Sequence, residues 1–164
     1  MMNVLFLDTT VNANIGLLQD SDFVSFEKGT EARASHKFHH RIYELLNTND
    51  LKIQDINAIF QIAGPGSYTG MRLSEGFSNI IELNGIKTYS IYHYEVPKFL
   101  GVKNYTFISN AFKKEYFLAK YYSNSFELEL ISQKDFQKNG ELYSNEKIDS
   151  FDTKSTLDLI IENP

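Results

Sequence analysis

The chain has 164 residues, no cysteine and a formal charge of −5 from 16 basic and 21 acidic side chains. That length suits one domain or two small ones, and the lack of cysteine excludes a disulfide framework and a thiolate metal site. The acidic balance argues against a broad autonomous nucleic-acid surface, and with only Arg33, Arg41 and Arg72 as arginines, bidentate phosphate recognition has few candidates.

Asn3-Val4-Leu5-Phe6-Leu7 suits a buried central strand that ends at Asp8-Thr9-Thr10. Asn14–Leu18 and Phe23–Phe26 read as two further strands joined by a hairpin turn at Gln19–Asp22. Glu27 to Ala34 is polar and reads as a loop. Ser35 then caps a helix running to Leu46, with Phe38, Ile42, Leu45 and Leu46 on one face. His36 and His40 stand four apart, a spacing that can bind a metal on a helix, but two histidines alone make a weak site. Leu51–Asn57 is a short connection with room for one helical turn. No signal peptide precedes the first strand and no apolar run reaches membrane-spanning length, so the expected setting is the cytoplasm.

The apolar run Ala58–Ala63 leads into Gly64-Pro65-Gly66-Ser67-Tyr68-Thr69-Gly70-Met71-Arg72-Leu73, and a helical pattern leaves it as far as Leu83, before Asn84-Gly85. A strand-to-helix turn of this kind presents backbone N–H groups and the positive end of a helix dipole, with Ser67 or Thr69 as the cap. It can hold a phosphate or carboxylate with Gly64, Gly66, Ser67 and Thr69, or it can simply seat the helix on the sheet. Spacing rejects three named motifs. No lysine follows Gly70 as a P-loop requires. Gly64, Gly66 and Gly70 are one residue too widely spaced for a dinucleotide fingerprint. Ser67 lacks the flanking glycine pattern of a nucleophile elbow. On the helix, Gly70, Ser74 and Ser78 form a stripe of small side chains beside an apolar face of Leu73, Phe77, Ile80 and Ile81. Such a stripe admits a close neighbour, either internal or another protein.

Lys87–Tyr92 reads as a parallel strand reached by a right-handed crossover. Tyr94–Leu100 is a weak helix with Pro97 tolerable only in its first turn. Tyr105–Ser109, Tyr116–Tyr122 and Phe126–Ile131 read as strands, the first two joined by a turn over Asn110–Glu115. Beyond Ser132 the pattern thins, and Leu157–Ile161 reads as a closing helix or strand.

The run Gly64–Leu73, set between strand and helix, closely resembles the signature of the bacterial TsaB (YeaZ) family, whose members take part in making N6-threonylcarbamoyladenosine in tRNA. The resemblance spans about residues 2 to 122. It implies an α/β, actin-like (ASKHA, ribonuclease H-like) fold: a mixed sheet flanked by helices, with an N-terminal subdomain over 1–100 and a truncated second subdomain over 101–164. Three opening strands with Asp8-Thr9-Thr10 at the first turn match that fold. In active ATPases of the group this turn contacts phosphate and orders magnesium, whereas here Asp8 and Thr9 can equally bond their own turn.

The resemblance further implies a non-catalytic subunit with no catalytic residue and no metal of its own. It would dock on a TsaD-like transferase paralogue and be joined by a TsaE-like ATPase. The chain alone would bind no cofactor, with ATP or ADP and a metal belonging to the partner complex. It would pair with itself when the partner is absent, reach tRNA only through the complex, and make no membrane contact. Docking would use the helices Ser35–Leu46 and Thr69–Leu83, through His36, His39, Ile42, Tyr43, Gly70, Leu73, Ser74, Phe77, Ser78 and Ile81. The chain departs from the family at Ala63, where a basic residue is frequent. It departs again at Asn110, Phe112 and Lys114, where the family has aspartate, arginine and glycine. The alternative is a small actin-like ATPase or phosphotransferase holding a nucleotide at Asp8, Thr9 and the Gly64–Gly70 turn. It lacks an evident base and a second metal carboxylate. A peptidase reading, from Ser67 and the histidines, fails the elbow test.

Overall fold

The computed structural model describes residues 1–29, 37–123 and 125–164. The expected cap Ser35 and the histidine His36 lie outside the described residues. The chain divides into two compact units, Met1–Ile91 and Tyr92–Asn163, so the division falls nine residues before the boundary expected at 100.

In the first unit, β1 (Asn3–Asp8) pairs antiparallel with β2 (Asn14–Gln19) and parallel with β4 (Ala58–Ile62). With β3 (Asp22–Glu27) and β5 (Lys87–Ile91) they form one sheet in the order β3-β2-β1-β4-β5. Asp20 and Ser21, with φ of 49° and 82°, make the two-residue β2–β3 turn in the left-handed region that matches strand twist. Between Asn3 and Asp8 β1 is wholly apolar because both its faces are covered. Leu5 and Leu7 join Ile15, Leu17 and Ile59 beneath the helices. Phe6, fully buried, meets Phe23, Phe26 and Phe60 on the other side, with ring centroids 5.6–6.1 Å away.

Helix α1 (Phe38–Thr48) buries Phe38, Ile42, Leu45 and Leu46, the face that the spacing predicts. Arg41 braces it to the sheet: Nη1 donates to Ala13 O at 2.6 Å and Nε to Glu27 Oε2 at 3.2 Å. Helix α2 (Tyr68–Glu82) lies differently from expectation. Its fully buried residues are Ser74 and Ser78, while Leu73, Phe77 and Ile81 pack against the core from its flank. Ile80 stands 62% exposed, outside the face assigned to it. The small stripe brings the helix axis so close to the sheet that larger side chains are displaced sideways.

The second unit repeats the strand order of the first. β6 (Tyr105–Asn110), β7 (Glu115–Tyr122) and β8 (Ser125–Ser132) form an antiparallel meander. β9 (Leu142–Ser144) adds parallel to β6, and β10 (Lys154–Ser155) parallel to β9. Read from β8, the sheet runs β8-β7-β6-β9-β10, the counterpart of β3-β2-β1-β4-β5. The reduction expected here is therefore not in the sheet. The connections on either side of β9 carry no helix, and Phe136, Ile148 and Phe151 from them cover Ile108, Tyr116 and Leu118 instead. The opposite face, with Tyr105, Phe107, Ala119 and Tyr143, packs on Tyr94, Val102 and Leu159. α3 (Val96–Phe99), entered through Pro97, and α4 (Thr156–Glu162) lie N-terminal and C-terminal to the strands. Ser155 caps α4, its Oγ accepting from Asp158 N at 3.1 Å. Thr156 Oγ1 donates to Ser144 O at 3.1 Å and lies 3.0 Å from Nδ1 of the buried His93, tying α4 to β9.

The aromatic face of this sheet titrates late. Burial, then the neighbouring Tyr92 and Glu95, push the Tyr94 phenol up to about 12, and burial raises Tyr105, Tyr121 and Tyr143 as well. Tyr105 also donates its O–H to Tyr94 O at 2.7 Å. Because the folded state holds these protons more tightly than the unfolded chain does, their contribution is complete below the ordinary tyrosine value of 10.0 and is lost as pH rises towards 12. Urea unfolding should show a midpoint independent of tyrosine ionisation below pH 10 and falling steeply above it. Tyrosinate absorbance should rise in two phases, exposed rings first. A single phase near pH 10 in the folded protein would refute this account.

Candidate functional site

Two turns meet at the carboxyl ends of β1 and β4. At the first, the buried Asp8 accepts from Thr10 N at 3.0 Å and Thr10 Oγ1 at 2.7 Å through Oδ1, and from Asn14 Nδ2 at 3.3 Å through Oδ2. Its carboxylate therefore organises its own turn. Thr9 Oγ1 donates to Gly70 O at 2.7 Å and lies 2.9 Å from Ser74 Oγ, which reaches Met71 O at 3.1 Å.

At the second turn, Gly64 adopts φ +134° and the Gly64–Pro65 peptide is cis. Ser67 donates its N–H to Thr10 O at 2.6 Å, and its Oγ caps α2 by accepting from Gly70 N at 3.3 Å. Ser67 rather than Thr69 is thus the cap. The glycines of the motif are explained by close approach. A Cβ on Gly66 would overlap Thr10 O, and one on Gly70 would overlap Thr9 O, both well inside contact distance. The two turns are pressed together, and the space that glycine opens is filled by carbonyl groups.

On the side facing β1 this arrangement does not fit a nucleotide phosphate. An anion on that side of the turn would meet the Thr9 and Thr10 carbonyl oxygens and the Asp8 carboxylate, all electron-rich. Of the candidate anion-binding residues, Asp8, Thr9, Gly66 and Ser67 are joined into this contact, and Gly64 and Thr69 flank it. Among the described residues no group of three or more His, Cys, Asp and Glu side chains is placed to hold a metal. His40 Nε2 instead lies 3.2 Å from Glu44 Oε1, one helical turn along α1.

The turn between β6 and β7 is the counterpart of the Asp8 turn in the second unit. There Asn110 N donates to Glu146 Oε1 at 2.7 Å, and Asn110 Oδ1 accepts from Gln133 Nε2 at 3.3 Å. A side-chain carboxylate of the chain itself occupies the backbone donor. Ala111 N closes the turn on Glu115 O at 2.9 Å, with Lys113 and Lys114 at φ 59° and 61°. Sequence reasoning missed Glu146, which stands in the polar stretch after Ser132 with no pattern around it.

The residues expected to dock a partner separate into two sets. Ile42 is core, 3% exposed, and the stripe Gly70, Ser74 and Ser78 faces the chain's own sheet. Ser78 Oγ donates to Gln61 Oε1 at 2.8 Å. Gln61 is the one polar residue in β4, a signal that the sequence does carry. The close neighbour of the stripe is thus internal. Leu73, Phe77 and Ile81 are partly buried, and His39 and Tyr43 are exposed. The rings of Phe38 and His39 on α1 lie 5.8 and 5.7 Å from that of Phe77 on α2, so the two helices are neighbours. Their outward surface carries Tyr43, Ile80 and Leu83, 65, 62 and 88% exposed. Ile80 and Leu83 were not among the expected contacts.

The duplicated strand order, with a strand–turn–helix motif at the carboxyl end of the central strands, is that of an actin-like ATPase fold. Within that fold the chain is similar in structure to YeaZ. It superposes on YeaZ from Pseudomonas aeruginosa with a TM-score of 0.66, at 15% identity, over 88% of this chain and 75% of that one. A second structure, of an uncharacterized protein with similarity to peptidase YeaZ from Pseudomonas aeruginosa, gives a TM-score of 0.67 at the same 15% identity and the same coverage, 88% and 75%. No protein-family model matches the chain.

Because the helix seat depends on side chains no larger than serine, Gly70→Ala should lower unfolding free energy by about 1–3 kcal/mol, as an overpacked contact does. Ser74→Arg should cost more, since it forces a charge against the sheet. Gly76→Ala is the control. A Cβ there meets nothing within 4 Å, so it should be neutral or stabilising by up to about 1 kcal/mol. Equal urea midpoints for Gly70→Ala and Gly76→Ala would overturn the interlocked-turn account.

Proposed function

We propose that this chain is a non-catalytic subunit that docks on a TsaD-like transferase in the synthesis of N6-threonylcarbamoyladenosine in tRNA. The observation that carries the reading is the apolar surface left exposed on two neighbouring helices, with Tyr43 on α1, Ile80 on α2 and Leu83 at the C-cap of α2. The Gly64–Leu73 signature and the YeaZ-like fold support it. In this role the interlocked turns are a rigid seat: they fix α2 on the sheet so that its outer face is presented without adjustment. Interfaces of this kind draw their energy from a few apolar anchors in a largely uncharged centre. A TsaE-like ATPase would join the pair, tRNA would meet it through the partner, and nucleotide and metal would belong to the partner complex. Alone, the same face would pair two copies about a two-fold axis.

The nucleotide-hydrolysing alternative loses its main support in the site, since Asp8 is taken up by its own turn and Gly66 and Gly70 are packed against carbonyl groups. The peptidase reading loses Ser67 as a free nucleophile, because its hydroxyl caps α2.

Co-purification with the TsaD-like protein of the same organism tests the proposal. Wild type should form a stoichiometric complex, and Ile80→Arg should weaken it by about tenfold or more, as loss of an interface anchor does. The same substitution should shift the isolated protein from dimer to monomer in sedimentation. A complex untouched by Ile80→Arg would place docking elsewhere, and no complex at all would defeat the assignment.

A further inference from the structure

β8 is an edge strand of the second sheet, paired with β7 without a break from Tyr122↔Ser125 to Glu115↔Ser132. Its outer side is an uninterrupted row of alternate backbone N–H and C=O groups, the part of a sheet that proteins ordinarily blunt with proline, lysine, bulges or short length. The other edges differ: β10 has two residues, β3 pairs with β2 across a bulge, and β5 is shorter, with five residues and a lysine at its start. β8 has eight residues, Ser-Phe-Glu-Leu-Glu-Leu-Ile-Ser, and none of these devices.

Its side chains alternate sharply. Phe126, Leu128 and Leu130 lie on one face, opposite Tyr121, Ala119 and Phe117, and remain 45, 51 and 63% exposed. Glu127 and Glu129 lie on the other face. Lys120 pairs with Glu129, while Glu127 makes no ion pair among the described residues. One cation therefore serves two carboxylates.

We propose that the β8 edge takes up an extended segment of another protein in which apolar residues alternate with lysine or arginine. Backbone pairing would supply the affinity and the alternation the register. The apolar residues would lengthen the Phe126–Leu128–Leu130 row, and the cations would meet Glu127 and Glu129. A second copy fits worse. Any antiparallel register that overlaps the strand centres and keeps the apolar residues on one face sets glutamate against glutamate, and directly opposed like charges destabilise a sheet. Each copy also brings a formal charge of −5.

The full chain should be titrated with a capped seven-residue peptide alternating lysine with valine, and with its glutamate counterpart. Amide hydrogen exchange locates the contact. The lysine peptide should bind at least about tenfold more tightly than the glutamate peptide and slow exchange at alternate β8 amides. Leu128→Ser combined with Leu130→Ser leaves the charge unchanged at exposed positions, and should weaken binding by about tenfold with circular dichroism unaltered. Glu127→Gln should shrink the preference between the two peptides. Equal binding by the double serine variant, or exchange slowed only outside β8, would show general charge attraction and overturn the proposal. A peptide-free dimer abolished by the double serine variant would overturn it in favour of self-pairing.

Discussion

Everything in the first unit is referred to one contact: the backbone of Thr9 and Thr10 pressed against Gly66 and Gly70. It joins the end of β1 to the start of α2, segments some sixty residues apart in sequence. Three hydrogen-bonded links cross it, from Ser67 N to Thr10 O, from Thr9 Oγ1 to Gly70 O, and between Thr9 Oγ1 and Ser74 Oγ. A buried peptide carbonyl without a donor is costly, so the contact is specific as well as close. It sets the height of α2 above the sheet. That height decides which α2 side chains are swallowed, Ser74 and Ser78, and which are left outside, Ile80 and Leu83.

A turn of this shape can serve phosphate or serve packing, and the difference lies in what fills the glycine space. Here carbonyl oxygens fill it, and Asp8 turns its charge back on Thr10 and Asn14. The second unit makes the same choice by another route, with Glu146 on the Asn110 amide. Both halves keep the strand order of an actin-like fold while the polar ends of their central strands are satisfied from within.

Much of this architecture was legible in the sequence. β1 to β8, α1 and α2 follow from apolar runs, from periodicity and from the Asn-Gly and Gly-Pro-Gly punctuation, and the Gly64–Leu73 run pointed to the fold. The orientation of α2 was not legible. A helical wheel weights large apolar residues towards the core, but Gly70 lets serines take that place, and only the register of Thr9 against Gly70 reveals it. β9 and β10 were missed because strands of three and two residues carry too little alternation to stand out. The exposed apolar surface of the two helices was half legible: Tyr43 was named among the candidate contacts, Ile80 was read only as part of the apolar face of α2, and Leu83 only as the end of a helix.

The Glu146 contact has a wider meaning for how the second unit behaves. A carboxylate tethered in the same fold is present at an effective concentration that a dissolved anion reaches only when abundant. The Asn110 amide is therefore answered whether nucleotide is plentiful or scarce. That turn is fixed by a residue the chain carries with it instead of by a ligand it must find.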